Sequence, residues 1–314
     1  MKVSTAALRE FKVSRKLMGS DFELIVVEED EPLAREALQK GVEEVQRIEE
    51  LLSEFKPASQ TSMINREAAQ YPVKVEEETF HLIRRCKEIS RLTQGAFDIT
   101  VGPLKKIYRF RNVEHAIPSP QEIREALRKV GYRYLKLMGD NRISFEKESM
   151  QISFAAIGKG YAADCVSRLW KQMGIRSGVI NASGDLTLWG NRADGSQWKV
   201  GIAHPDNRNE IVLWIPVEQG SVATSGDYEN YFMHDGIRYS HNINPRTGYP
   251  LTGIKSVTVV SPSAELCDAL CTAVYVMGKE AGLYFINQLP ETHCLIISES
   301  NEYYHSKNLE VIHE

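Results

Sequence analysis

No run in the chain approaches the roughly 18 consecutive apolar residues of a membrane-spanning helix. Met1–Lys16 mixes Ser, Arg, Glu and Lys with short apolar pairs, so no signal-peptide h-region is visible. The expected location is therefore cytoplasmic for the sequence as given, or exported or membrane-anchored if a leader was removed. A basic excess is also missing. Lys and Arg number 38 against 42 Asp and Glu, a formal net charge of −4. That argues against nucleic acid as a partner, and no Lys/Arg block suggests a polybasic membrane patch. Cysteines are few and odd in number: Cys86, Cys165, Cys267, Cys271 and Cys294. Most sit in apolar patterns, which suits reduced, buried thiols rather than a disulfide framework. Cys267 and Cys271 have no matching Cys/His pair, which argues against zinc. Ser225 lacks a Gly-x-Ser-x-Gly elbow and is not read as a nucleophile. Gly158-Lys159-Gly160 lacks Walker spacing and is not a P-loop.

What is present is ordinary globular material, 42% hydrophobic and 25% charged, with length for one large or two modest cores. A strand is predicted over Phe22–Val27. Apolar residues Leu38, Val42, Val45, Ile48, Leu52 and Phe55 recur at gaps of three and four, which predicts an amphipathic helix over Pro32–Phe55. The stretch Lys56–Ser62 reads as a polar turn. A second helix covers Glu77–Thr93, and a third opens at Ser119 with Pro120 at its first position and Glu122 at capping-box spacing. Tyr134–Met138, Arg142–Phe145 and Met150–Phe154 read as a meander, followed by a helix over Lys159–Met173. Strands are expected near Gly178–Asn181, Asp185–Trp189, Trp198–Ala203, Ile211–Val217, Val222–Thr224, Lys255–Ser261 and Cys294–Ser298. Helices are expected over Ala264–Met277 and Ala281–Gln288. The fold class is α+β, with helices flanking antiparallel sheets, in one body (1–314) of two closely joined lobes after a short N-terminal extension of about residues 1–16.

Chemistry concentrates in a few motifs. Ala155-Ala156-Ile157-Gly158-Lys159-Gly160 joins a predicted strand to a helix, where backbone amides and a helix N-terminus favour an anion; the alternative is a plain tight connection. Asp268 and Thr272 are four apart on a helix and share a face. A carboxylate and a hydroxyl so placed make a partial Mg²⁺ shell, completed by phosphate and water, or else a hydrogen-bonded buried aspartate. Cys271 falls on much the same face and is a poor Mg²⁺ ligand. His241 precedes the turn Pro245-Arg246-Thr247-Gly248, either as a general base or as a loop histidine bonded to backbone. Gly95-Ala96-Phe97-Asp98-Ile99-Thr100-Val101-Gly102 is a ligand-binding loop or a buried turn.

The order of these motifs is more specific than any one of them. Met18-Gly19, Gly95–Pro103, Gly158–Asp164, Asn181–Asp185, Ala223–Tyr228, His241–Gly248 and Asp268–Thr272 together resemble the ApbE family of FAD:protein FMN transferases, over about Leu17–Ser298. The resemblance implies an α+β fold that takes FAD and Mg²⁺, cuts the pyrophosphate, joins FMN to a Thr or Ser of an acceptor protein and releases AMP. By similarity, Ala156, Asp268 and Thr272 hold the metal. Met18, Phe55, Ala96, Phe97, Asp98, Ser153, Lys159 and Ile243 contact FAD, and His241 serves the acceptor hydroxyl. Departures from the family pattern are Ser153 for Asp, Phe55 for Tyr, Asn244 for Asp, Cys271 for Asp or Ser, and Ser183 for Gly. They imply a lost charge beside the flavin and a thinner metal shell. Two other activities fit the same motifs: a hydrolase giving FMN and AMP, and a non-catalytic FAD-binding protein.

Overall fold

The computed structural model describes residues 7–108, 117–226, 231–234 and 237–312. In chain order the elements are β1 (Arg9–Leu17), β2 (Ser20–Glu28), α1 (Glu31–Leu52), α2 (Gln60–Glu67), β3 (Val73–Lys74), α3 (Glu77–Leu92), α4 (Gly102–Ile107), α5 (Pro120–Leu127), β4 (Leu135–Met138) and β5 (Arg142–Phe145). The second half holds α6 (Gly158–Gln172), β6 (Ser177–Ala182), β7 (Asp185–Trp189), β8 (Lys199–His204), β9 (Asn207–Pro216), β10 (Gln219–Gly226), β11 (Tyr231–His234), β12 (Ile237–Ser240), β13 (Ile254–Ser261), α7 (Ala264–Met277), α8 (Lys279–Ile286), β14 (His293–Ser298) and β15 (Tyr303–His305). The principal sheet is antiparallel and eight-stranded, in the order β1-β2-β6-β7-β10-β13-β14-β15. The fold is α+β, as the pattern of elements predicts.

The predicted helices form where local signals are strong. Asp30 caps α1 through the Leu33 N–H, and Leu38, Val42, Val45, Ile48 and Leu52 are buried along one stripe. Phe55 departs from the expectation. The helix ends at Leu52, and the Phe55 ring is 87% exposed beyond it. α5 carries the complete capping box of Ser119 and Glu122. All five cysteines are free and buried.

Three expectations need correction. The stretch read as an N-terminal extension contains β1, which pairs with β2 along its whole length from Arg9↔Glu28 to Leu17↔Ser20. Most of β1 is exposed, so it carries little of the alternation that reveals a half-buried strand. The polar turn after α1 runs into α2, capped by Ser59. Met150–Phe154 is not a strand. The Asn65 amide brackets Ile152, donating to its carbonyl at 2.9 Å and accepting from its N–H at 2.7 Å. Ser153 N–H reaches Ile99 O at 2.8 Å. With those groups satisfied from α2 and from the loop at Ile99, that segment needs no strand partner.

α6 and α7 cross against one face of the sheet, with α7 laid over β10 and β13. The N-terminus of α7 is fixed by Asp164 of α6, whose carboxylate accepts from Ser263 Oγ (2.8 Å), Ala264 N (3.0 Å) and Glu265 N (3.0 Å). That crossing brings the first turn of α6 against Asp268 of α7.

Candidate functional site

α3 ends at Leu92, and Gln94 (φ 52°) and Gly95 (φ 82°) turn the chain back, with Gly95 N–H closing on Ser90 O at 2.7 Å. The loop that follows is held by its aspartate. Asp98 Oδ1 accepts from Thr100 N (2.8 Å) and Thr100 Oγ1 (2.7 Å), and Oδ2 accepts from Tyr132 N (2.9 Å). Burial raises this carboxyl above the usual range, against those hydrogen bonds. Its side chain is already occupied by three donors.

Facing this loop is the turn after β12. Arg246 donates to Gln94 O (2.9 Å) and Thr93 O (3.2 Å), and Tyr108 Oη donates to Gly248 O (2.8 Å). These bonds dock the turn on the ends of α3 and α4 and place Asn242, Ile243 and Pro245 on the wall of an inner cavity of about 40 Å³. Ala96, Phe97, Asp98, Ser153 and Ile243 share that wall with Ala156 and Thr272. A second, outer cavity of about 530 Å³ is lined by Met18, Phe55, Lys159 and again Ser153. The residues assigned to FAD by similarity thus fall in two cavities that meet at Ser153. Asp268 lies one turn before Thr272 on α7, and half-buried His241 lies next to Asn242. A larger cavity of about 680 Å³ contains none of these residues. Four charged groups there are spent on structure: Glu265 makes a bidentate pair with Arg85 at 2.7 and 2.8 Å, Glu78 joins Arg47 and Tyr161, and Asp164 caps α7.

The Gly158-Lys159-Gly160 turn opens α6, and it already faces protein carboxylates. Gly160 N–H donates to Asp268 Oδ2 at 3.3 Å, and Lys159 Nζ pairs with Asp185 Oδ2 at 2.5 Å. Asp185 also accepts from Thr224 N at 3.1 Å. Asp268 is buried, and the Gly160 bond is the one hydrogen bond its carboxylate makes among the described residues. Its pKa is raised to about 7, by burial first and then by Asp185, against the opposing pull of Lys159 and the Gly160 N–H. This has a definite sign. Between the unfolded carboxylate range and about 7 the native state keeps a proton that the unfolded chain has lost, so stability falls as pH rises through that window. Urea midpoints of the metal-free protein are expected to fall from pH 5 to pH 7.5, on the order of 1–3 kcal/mol in stability, and Asp268→Asn should flatten that slope.

Several neighbours were not legible beforehand. Ser153 stands where a charge was thought lost, yet its hydroxyl donates to Glu54 Oε1 at 3.0 Å, so a carboxylate arrives from the segment after α1. Asp185 enters the sequence reading as the end of the Asn181–Asp185 motif and the start of a strand, with no role in the site. Cys271 turns away from the supposed metal face, donating Sγ–H to Ala223 O at 3.0 Å. Asn244 keeps a turn role through Oδ1 to Arg246 N at 2.9 Å. Ser183 takes φ 59°, which a glycine enters at less cost. Asp227 and Tyr228 of the Ala223–Tyr228 motif lie outside the described residues.

The family model described as the ApbE family matches residues 18–296. A Vibrio cholerae protein named FAD:protein FMN transferase is 30% identical over 286 residues, covering 88% of this chain and 85% of its own. One of the same name from Salmonella typhimurium is 32% identical, covering 89% and 82%. Among solved structures, the ApbE protein of Thermotoga maritima superposes with a TM-score of 0.87 at 32% identity, covering 95% of this chain and 97% of that one. The apo form of the Pseudomonas stutzeri flavinyl transferase ApbE gives 0.85 at 26% identity, covering 97% of both.

Proposed function

This chain belongs to the ApbE family and is a flavin transferase, and from that premise we propose that it moves the FMN half of FAD to a Thr or Ser hydroxyl of an acceptor protein, with Mg²⁺ as the metal. The observation that carries the reading is the junction of the two cavities. Ala156 and Thr272 share a wall with Ala96, Phe97, Ser153 and Ile243, one helical turn from a buried carboxylate with a single long hydrogen bond. Among the described residues no group of three His, Cys, Asp or Glu side chains could hold a metal. A carboxylate, a hydroxyl and a backbone carbonyl form another kind of donor set, all hard oxygen, suited to Mg²⁺ that keeps waters and binds substrate phosphates. A cation held there would also relieve the repulsion between Asp268 and Asp185. When bound, Mg²⁺ supplies charge neutralisation and Lewis acidity at the diphosphate.

The chain's own groups do the rest. Gly160 N–H and the α6 N-terminus hold the Asp268 carboxylate in place, and Asp185 fixes Lys159. His241 takes the proton of the acceptor hydroxyl. The hydroxyl oxygen forms a bond to the FMN phosphorus, the phosphorus–bridging-oxygen bond breaks in line, and AMP leaves with the bridging oxygen. The test is incubation with FAD, Mg²⁺ and an acceptor protein. A fluorescent band that survives denaturation supports transfer. Absence of label on a verified acceptor rejects it, and AMP with free FMN in place of label points to hydrolysis.

The inner cavity has one further mark of a ligand site. Asn242 Nδ2 is buried without a hydrogen-bond partner among the described residues. An unmet buried donor costs about 1–3 kcal/mol, and a ring heteroatom or carbonyl of FAD that widens this seam would satisfy it. Asn242→Leu is expected to leave the free protein as stable or more so. The same change should raise KM for FAD by about tenfold with little change in kcat. An unaltered KM would place FAD elsewhere.

A further inference from the structure

Lys105 sits on α4, three residues past Gly102, and lines the inner cavity together with Ala156 and Thr272. Its position follows from packing. The start of α4 is pressed against Gln151, so close that a Cβ on Gly102 would stand 3.3 Å from Gln151 Cβ. Lys105 is half-buried, whereas Lys106 beside it is exposed. Among the described residues the Lys105 ammonium makes no hydrogen bond and no ion pair. The charges that act on it are Glu54 and then Asp268, both short of contact, while burial works against its charged form. The other two lysines of the site are committed, Lys159 to Asp185 at 2.5 Å and Lys56 to Glu50 at 2.5 Å. The lysines of the outer cavity are therefore bound to protein, and Lys105 of the inner cavity is not, among the described residues.

We propose that Lys105 is a diphosphate-binding residue, its ammonium taking phosphate oxygens of FAD that face Ala156 and Thr272. The proposal rests on the flavin-transfer reading and names a residue outside the motifs that led to it. A diphosphate brings about two negative charges into a region already holding Asp268, Asp185 and Glu54. A divalent cation and an uncommitted ammonium together offset them, and in a half-desolvated wall each is worth more than in water. Lysine suits this as a point charge on a flexible stem, which can follow the phosphate as the seam widens.

The probe is ADP, titrated calorimetrically at fixed Mg²⁺ into the full chain and into Lys105→Met, Lys105→Gln, Lys105→Arg and Lys106→Met, with melting curves for each. Loss of one charge-assisted phosphate contact should weaken ADP by about ten- to a hundredfold in Lys105→Met and Lys105→Gln. Lys105→Arg should stay within about threefold and Lys106→Met should match the wild type. Equal affinity in the wild type and Lys105→Met overturns the proposal, as does a wild type that does not bind ADP. It is also overturned if Lys105→Arg is as weak as Lys105→Met and melts lower, which is the behaviour of a structural lysine. Release of AMP from FAD by the wild type, with Mg²⁺ and a verified acceptor protein present, is read separately. Its absence defeats the flavin-transfer reading, whereas AMP release with an unmoved ADP affinity in Lys105→Met defeats this inference alone.

Discussion

Asp268→Asn should lower Mg²⁺-dependent AMP release by on the order of 10³-fold while the protein melts no lower than the wild type. The two halves of that result come from one feature. Asp268 is buried beside a second carboxylate and, among the described residues, receives a single hydrogen bond of 3.3 Å from Gly160. Its charge is costly in the metal-free fold and is useful only to a cation. Asparagine keeps the shape and an oxygen for the Gly160 N–H, and removes the charge. A merely structural aspartate behaves in the opposite way, since losing it would leave Gly160 or Lys159 worse paired and lower the melting temperature. Steady-state AMP release and a thermal melt, on the same preparation, decide between them. A near-normal rate in Asp268→Asn would remove the metal site from this helix.

Gly160→Ala is expected to cost the fold about 3 kcal/mol or more, a large fraction of an ordinary domain's stability. A Cβ at position 160 would stand 2.2 Å from Ala264 O, 2.6 Å from Ala264 C and 2.9 Å from Glu265 N. All three are backbone atoms of the first turn of α7, and Asp164 holds that turn by three hydrogen bonds. No side chain can swing aside, so the two helices must part. Gly158→Ala is the control. Its Cβ would meet Met18 Cε at 3.5 Å and Phe154 Cβ at 3.6 Å, ordinary contacts, and stability should change by less than about 1 kcal/mol. Denaturant titration of both variants tests the pair. If Gly160→Ala is as stable as Gly158→Ala, the close approach of α6 and α7 is wrong, and with it the position of Asp268.

The helices were readable from the chain because their signals are local. The stripe of α1, the capping box of α5 and the apolar α7 each lie within a few turns of sequence, and α7 runs over the predicted Ala264–Met277. The strand-like run Met150–Phe154 misled because its partners are Asn65 and Ile99, far off in sequence. β1 was overlooked because an edge strand with one paired side and mostly solvated side chains shows no apolar alternation.

For the site, the order of short motifs determined the family, the flavin chemistry and the pairing of Asp268 with Thr272 one turn apart, since glycine turns and i, i+4 geometry are properties of the chain itself. Tertiary structure decided the charge balance. It brought Asp185 to Lys159, Glu54 to Ser153, and left Lys105 and the Asn242 amide facing a cavity without partners among the described residues. Which charge neutralises which depends on distances between segments 26 to 99 residues apart, set by how α6, α7 and the sheet pack, and one-dimensional spacing holds no record of them.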